Sequence, residues 1–145
     1  MELSSGATDQ VFEKEFVRGA VLLTEMVFAS GARKAKYLIV LNKHVHESPT
    51  LFFLTTSQIE YFDRFPRADH VRIAANSLPY FSKETIIDCR EVWAIERLTL
   101  KKRYQQATLK FVGVLPAPTM EAIDRLVASS RSISMRYKKM ILGWT

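Results

Sequence analysis

Residues 36–43 read KYLIVLNK, and residues 37–41 within them form an uninterrupted apolar run of the kind that enters the interior of a β-sheet. A stretch opened by Gly31 comes directly before this run and carries Arg33, Lys34 and Lys36. Positive charge at the mouth of a buried strand has two explanations. It belongs either to a solvated turn or to a loop that meets a polyanion.

Further strands are predicted on both sides of this run, because short stretches rich in β-branched and aromatic residues recur along the chain. The predicted strands are residues 16–30 with a bend near Gly19, 37–41, 51–56, 71–75, 85–89 and 92–95. Their close spacing favours a small barrel or sandwich over βαβ units. The charge run 101–103 lies between patterned regions and is predicted to be an exposed loop or strand end.

Helical periodicity is found only late in the sequence, after Pro118 and Thr119, which are predicted to stop and cap the chain ahead of a helix. Apolar residues then recur every three or four positions as far as Ile141, with an interruption at the serines of ASSRSIS. One kinked helix and two consecutive helices both fit this pattern. The sequence therefore predicts a mainly β, α+β protein that ends in a helical segment.

The length of 145 residues predicts one domain, residues 1–145, with a polar N-terminal tail at residues 1–14. No apolar run approaches the ~20 residues of a membrane helix, and the N-terminus lacks the order of a signal peptide, so a cytoplasmic protein is expected. The single cysteine and three histidines show no zinc-ligand spacing, so neither a metal nor a cofactor is expected. The net charge of +6 favours an anionic partner.

Three motifs occur in a fixed order: KYLIVLNK at 36–43, LTTSQ at 54–58 and FSKETIIDC at 81–89, followed by a strand and a C-terminal helix. Together they resemble the PemK/MazF-like group over roughly residues 16–141, and most closely its uncharacterised PemK-like branch. The resemblance implies an SH3-like β-barrel with a C-terminal helical segment. It also implies a toxin of a toxin–antitoxin pair that cleaves single-stranded RNA without metal. Homodimerisation and inhibition by an antitoxin with an acidic segment are implied as well.

The resemblance also implies where the site lies. Lys36-Tyr37 stands where the family's ribonucleases have an Arg-Pro pair, and Thr56-Ser57 matches their Thr-Ser pair. Lys36 and Thr56 are therefore the candidate catalytic residues. The candidate RNA-binding residues are Arg33, Lys34, Ser57, Arg72, His44 and His46. The sequence departs from the family in two ways, because a lysine does not reproduce the bidentate guanidinium and the usual acidic-Gln pair is absent.

The implied reaction is attack of the ribose 2′-hydroxyl on its own phosphate, which leaves a 2′,3′-cyclic phosphate and a 5′-hydroxyl. It needs in-line positioning, a proton acceptor, a proton donor and charge stabilisation on the phosphate oxygens. A lysine can supply charge and a proton, and a threonine hydroxyl can hold a phosphate oxygen. Neither is an efficient general base, whereas imidazole, the side chain of His44 and His46, is the type of group that serves as general acid or base near neutral pH.

Each feature also has a plain structural interpretation. The hydroxyl residues at 55–57 can simply satisfy backbone groups at a strand end, and Cys89 can be a small buried hydrophobe. Aromatic residues 61–65 are expected to pack in the core or, alternatively, to stack on a base. The rival functions are a non-catalytic nucleic-acid- or protein-binding module and a gyrase-poisoning toxin, whose Trp-bearing C-terminal helix is matched by Trp144.

Overall fold

The structure is a computed structural model that describes residues 5–145. Within this range, six strands and five helices follow one another along the chain. They are α1 (Ser5–Glu15), β1 (Ala20–Val27), β2 (Arg33–Val40), β3 (Thr50–Thr56), α2 (Ile59–Arg64), β4 (His70–Ile73), β5 (Thr85–Ile95), α3 (Arg97–Gln105), β6 (Leu109–Val114), α4 (Ala117–Ser129) and α5 (Met135–Leu142). The α+β, β-rich class predicted from the sequence is confirmed.

The six strands form one antiparallel, curled half-barrel sheet in the order β4-β5-β3-β2-β1-β6. β1 and β2 are a hairpin in which Val27 pairs with Arg33 and Val21 with Ile39. The turn between them contains Gly31 at φ +85°, a left-handed conformation that glycine adopts without steric cost. The basic residues 33–36 therefore belong to β2, and the prediction that they form a loop was wrong.

Helices cover both faces of the sheet, which explains why its central strands read as continuous apolar runs. One face carries Ile39 and Phe53 and packs against the buried sides of α4 and α5. The other face carries Leu38 and Phe52 and packs against Phe12 of α1 and residues of α3. Neighbouring residues of one strand thus enter different cores. No helix in residues 5–145 has both the length and the apolar character needed to cross a membrane.

The N-terminal segment is more ordered than the predicted polar tail. Residues 5–14 belong to α1, whose Phe12 is fully buried and stacks on Phe16 with ring centroids 4.9 Å apart. The guanidinium of Arg97 lies 5.4 Å from the first ring and 5.3 Å from the second. One aromatic anchor in an otherwise polar helix leaves no clear periodicity in the sequence. Residues 1–4 of the predicted tail lie outside the described residues.

Other boundaries also differ from the sequence predictions. The first strand begins after the bend at Gly19 and spans only Ala20–Val27, the fourth is His70–Ile73, and the two predicted strands at 85–89 and 92–95 are one strand, β5. The charge run 101–103 lies in helix α3, not in a loop or strand end. α3 buries only Leu100 completely, so its helical pattern is weak in the sequence.

The C-terminal segment consists of two helices, one of the two arrangements that the periodicity allowed. α4 begins earlier than predicted, with Pro116 as its N-cap residue. The hydroxyl of Ser134 caps α5 by accepting a hydrogen bond from the backbone N–H of Tyr137, and Gly143 at φ +73° follows the last turn. The serine-rich interruption in the sequence is thus the connection between the helices.

Candidate functional site

A cleft of about 270 Å³ opens between the first half of β2, the end of β3 and the loop that precedes β5. We call it the hydroxyl cleft, because most of the polar side chains around it carry hydroxyl groups. Its lining residues are Ala35, Lys36, Tyr37, Thr55, Thr56, Ser57, Tyr80, Phe81, Ser82, Lys83, Glu84 and Thr85. The structure therefore brings together Lys36, Thr56 and Ser57, three of the residues singled out in the sequence.

Strand geometry produces this cleft. β2 pairs with β1 over its whole length, from Arg33 onward, but its pairing with β3 begins only at Leu38, opposite Leu54. Beyond that pair β2 and β3 separate, while β3 stays paired with β5 as far as Thr56. Lys36 and Thr56 thus face each other across the point where two neighbouring strands part.

Lys36 is a half-buried cation, and no carboxylate of residues 6–145 lies within 4.0 Å of its ammonium. Burial lowers its pKa from the usual value, and the positive charge of Lys34 lowers the same pKa further. An unneutralised, partly desolvated ammonium attracts anions strongly and releases a proton more readily than a solvated lysine. The first property suits an anionic, phosphate-like ligand, and the second suits transfer of a proton to that ligand.

The hydroxyl groups at the end of β3 differ in their availability. Thr55 is buried, with 5% of its surface exposed, whereas Ser57 is exposed. The Thr56 hydroxyl accepts a hydrogen bond of 3.1 Å from the backbone N–H of Gln58. This contact uses the oxygen as an acceptor and leaves the O–H free to donate, so the hydroxyl can serve the backbone and a ligand together.

The other predicted RNA-binding cations are divided. Lys34 lies with Lys36 in a second groove, which also contains Gln58, Asp88 and Trp93. Arg33 points toward Glu25 in an exposed ion pair of 3.4 Å. Lys34 therefore lies next to Lys36, whereas Arg33 is paired with Glu25.

Arg72 is not a free cation. Its guanidinium donates to Asp63 at 2.7 Å and to Glu84 at 3.1 Å. The pKa of Arg72 is raised, first by the hydrogen bond to Asp63 and then by the hydrogen bond to Glu84, although desolvation by burial acts to lower it. Two carboxylates already occupy this side chain, so it holds Glu84 at the cleft rather than presenting charge to RNA.

His44 and His46 are not part of the cleft. Both follow β2, whereas Lys36 lies in its first half, so the histidines belong to the opposite end of the strand. His46 Nδ1 lies 3.9 Å from Glu13 at the N-terminal helix. As the sequence predicted, both histidines lie in the connection after β2, and their role in RNA binding stays a prediction.

Sequence reasoning missed four residues of the loop that closes the cleft: Tyr80, Ser82, Lys83 and Glu84. The Tyr80 hydroxyl donates to the carbonyl of Val114 at 3.0 Å, which anchors this loop to β6. The motif FSKETIIDC contained three of them, but only as a marker of resemblance. A contact between positions 34 residues apart leaves no local pattern in the sequence.

The remaining predicted residues have simpler places. Cys89 is buried, and burial followed by the charges of Asp88 and Asp69 raises the pKa of its thiol, as expected for a small core residue. Trp144 is exposed beyond α5. Within residues 6–145, no three His, Cys, Asp or Glu side chains gather as metal ligands.

Neither the known protein-family models nor the curated proteins match this chain. The likeness to the PemK/MazF-like group therefore remains a hypothesis that depends on the three motifs.

Proposed function

We propose that the protein is a metal-independent endoribonuclease of the PemK/MazF-like type, which acts on single-stranded RNA as the toxin of a toxin–antitoxin pair. In this proposal its curled sheet corresponds to the SH3-like barrel of that group. The observation that supports the proposal best is the unneutralised Lys36 facing Thr56 and Ser57 in the hydroxyl cleft, beside a carboxylate, Glu84.

These groups match the demands of phosphodiester cleavage. The 2′-oxygen of the ribose forms a bond to phosphorus while the bond from phosphorus to the 5′-oxygen breaks. Glu84, held by Arg72, accepts the proton of the 2′-hydroxyl. Lys36 stabilises charge on the phosphate oxygens and gives a proton to the departing 5′-oxygen, while the Thr56 O–H donates to a non-bridging oxygen.

The lowered pKa of Lys36 determines the expected pH dependence. The ammonium form is needed as proton donor and exists only below this pKa. Cleavage is therefore expected to decline as the pH rises through a value lower than the 10.5 of an ordinary lysine. A lysine with a lowered pKa is also a better proton donor near neutral pH than an unperturbed one.

The proposed partners follow from the resemblance and agree with the charge. A net charge of +6 suits both single-stranded RNA and an antitoxin that binds through an acidic segment. The proposal includes a cytoplasmic homodimer. Light scattering tests the assembly, and a particle of 16.7 kDa at micromolar concentration would remove the homodimer from the proposal.

A second candidate is a binding module without catalysis. Glu84 already accepts a hydrogen bond from Arg72, and lysine replaces the family's arginine at position 36. A site of this kind can bind phosphate without cleaving RNA, because the carboxylate that would accept the proton is already paired with Arg72.

The deciding experiment compares Lys36→Ala, Thr56→Val and Lys36→Arg with the parent on end-labelled RNA in EDTA. Lys36→Ala is expected to slow cleavage by about 100-fold or more, as for loss of one oxyanion donor. Lys36→Arg is expected to equal or exceed the parent, and products should carry 2′,3′-cyclic phosphate ends. Lys110→Ala, which removes an exposed lysine of β6, is the matched control.

Equal loss in Lys36→Ala and Lys110→Ala would show that general charge, not the cleft, governs the reaction. RNA binding without cleavage by the parent and by Lys36→Arg would overturn catalysis and support the binding module.

A further inference from the structure

An exposed aromatic patch lies at the C-terminal end of α2, the helix that follows the end of β3, and includes Phe65, the residue that follows the helix. Tyr61 is 39% exposed and Phe65 is 48% exposed, although both are large apolar side chains. Their positions are four residues apart, and their ring centroids lie 4.9 Å from each other at an interplanar angle of 42°. Two adjoining rings therefore present π-surface to solvent at one place.

The Tyr61 ring of the patch packs against other side chains of the protein. Phe62 is buried, with its ring centroid 5.1 Å from that of Tyr61, and anchors the helix. Arg90 covers Tyr61, with its guanidinium carbon 4.6 Å from the ring centroid. Asp88 fixes that guanidinium with hydrogen bonds of 2.9 and 2.8 Å. A preorganised ring loses little entropy when a ligand stacks on it.

Positive charge flanks the rings. Arg64 and Arg67 line the same shallow groove as Tyr61 and Phe65, and both arginines are exposed. No carboxylate of residues 6–145 lies within 4.0 Å of either guanidinium. Exposed aromatic rings beside unneutralised arginines match the two parts of a nucleotide, a flat base and a phosphate.

The patch is connected to the proposed site. Asp88, which holds Arg90 over Tyr61, also lines the second groove together with Lys34, Lys36 and Thr56. Gln58 lines that groove too and lies one residue before α2 begins. A strand of RNA with its scissile phosphate at Lys36 thus has a path along the sheet toward α2.

On the basis of the proposed RNA substrate, we propose that Tyr61 and Phe65 form a stacking platform for an unpaired base of the same strand, and that Arg64 and Arg67 bind the adjoining phosphate. Stacking tolerates any base, because every base has a π-face. The platform therefore adds affinity and fixes the distance between a stacked base and the scissile phosphate. It selects single-stranded over paired RNA, in which the bases are not free.

The test measures fluorescence anisotropy with labelled 2′-O-methyl oligonucleotides of about eight nucleotides, which lack the attacking hydroxyl and stay intact. A series carries a single abasic site at each position in turn. Tyr61→Leu/Phe65→Leu retains apolar side chains but removes the π-surface, and thermal unfolding checks that the variant folds. Leu98→Ala, which changes a 61% exposed apolar residue elsewhere, is the control.

The parent should bind the intact oligonucleotide about 5- to 150-fold more tightly than the version that is abasic at the platform position. The double variant should lose the same factor on the intact oligonucleotide and show no further loss on the abasic one. Leu98→Ala should bind like the parent. In Arg64→Gln/Arg67→Gln, the slope of log affinity against log salt concentration should shrink by roughly 0.7, the value for one lost phosphate contact on a single strand.

The outcomes separate the platform from the ribonuclease. If the parent cleaves RNA but the double variant binds as tightly as the parent, the platform is overturned and the ribonuclease stands. If binding depends on Tyr61 and Phe65 but no RNA is cleaved, the platform stands and catalysis falls. Equal loss by the double variant on intact and abasic oligonucleotides overturns base stacking. Absence of oligonucleotide binding by the parent overturns both.

Discussion

Gly113→Ala is expected to destabilise the protein and distort the hydroxyl cleft, because the added methyl group would collide with the ring of Tyr80, which lines the cleft. A β-carbon built at Gly113 lies 2.3 Å from Cε1 and 2.6 Å from Cδ1 of Tyr80. Carbon atoms in van der Waals contact are about 3.5–4.0 Å apart, so the ring or the strand must move by more than 1 Å. Gly113 is therefore required by the close approach of Tyr80 to β6.

The expected cost comes from two sources. Overpacking of a half-buried ring costs about 1–3 kcal/mol. Displacing the ring also breaks the 3.0 Å hydrogen bond from the Tyr80 hydroxyl to Val114, which contributes about 1 kcal/mol. The free energy of unfolding should fall by about 2–4 kcal/mol, which corresponds to a melting temperature lower by roughly 4–16 °C for a chain of this size.

Urea unfolding followed by tryptophan fluorescence measures this cost, and a double-mutant cycle with Tyr80→Ala assigns it. In the Tyr80→Ala background, Gly113→Ala should cost almost nothing, because the ring that it meets is gone. Gly6→Ala is the matched control, since no atom lies within 4 Å of its added β-carbon and alanine favours the helix. An equal cost of Gly113→Ala with and without the Tyr80 ring would show that contact with this ring is not the cause of the destabilisation.

Three other substitutions or treatments have defined outcomes. Because burial lowers the pKa of Lys36, the folded state favours the neutral amine over the ammonium. The contribution of this group to stability is therefore fully present above pH 10.5 and is lost as the pH falls through the lowered pKa. At pH 7 the contribution is absent, so Lys36→Met should melt no lower than the parent, while RNA binding is lost. Cys89 should resist iodoacetamide in the native protein and react in urea, as mass spectrometry would show, because burial raises its pKa. Asn42→Ala should cost about 2–4 kcal/mol in urea unfolding, because it leaves the buried N–H of Leu51 without its 2.7 Å acceptor and removes a 3.1 Å bond to Pro49.

The sequence predicted the strands and helices whose apolar residues recur regularly along the chain. The runs that became β2 and β3 are apolar on both faces, and α4 and α5 bury a regular stripe, so both types of element were found. The helices α1 and α3 were missed because each buries very few side chains, among them Phe12 in α1 and Leu100 in α3. A helix that is stabilised mainly by a few tertiary contacts has no regular apolar periodicity, so the sequence does not predict it.

The residues of the candidate site were likewise predicted only in part. Lys36 and Thr56 were found because each belongs to a motif next to a recognisable strand. His44 and His46 do not line the cleft, because both follow the last residue of β2 whereas Lys36 lies in its first half. Glu84 was missed as a site residue because its place depends on Arg72 and on the loop anchored by Tyr80, both long-range relations.

The electrostatics of the cleft are hard to explain by folding alone. Helices cover both faces of the sheet, so a ligand can reach the strands only at their ends and at the two sheet edges. Where β2 and β3 part, Lys36 is half-buried with Lys34 nearby, and no carboxylate of residues 6–145 lies within 4.0 Å of its ammonium, so burial and like charge both oppose its ionisation. A methionine would fill the same space without that electrostatic cost. A charge that folding does not favour, placed where the strands part and surrounded by hydroxyl groups, therefore supports the proposed anion site.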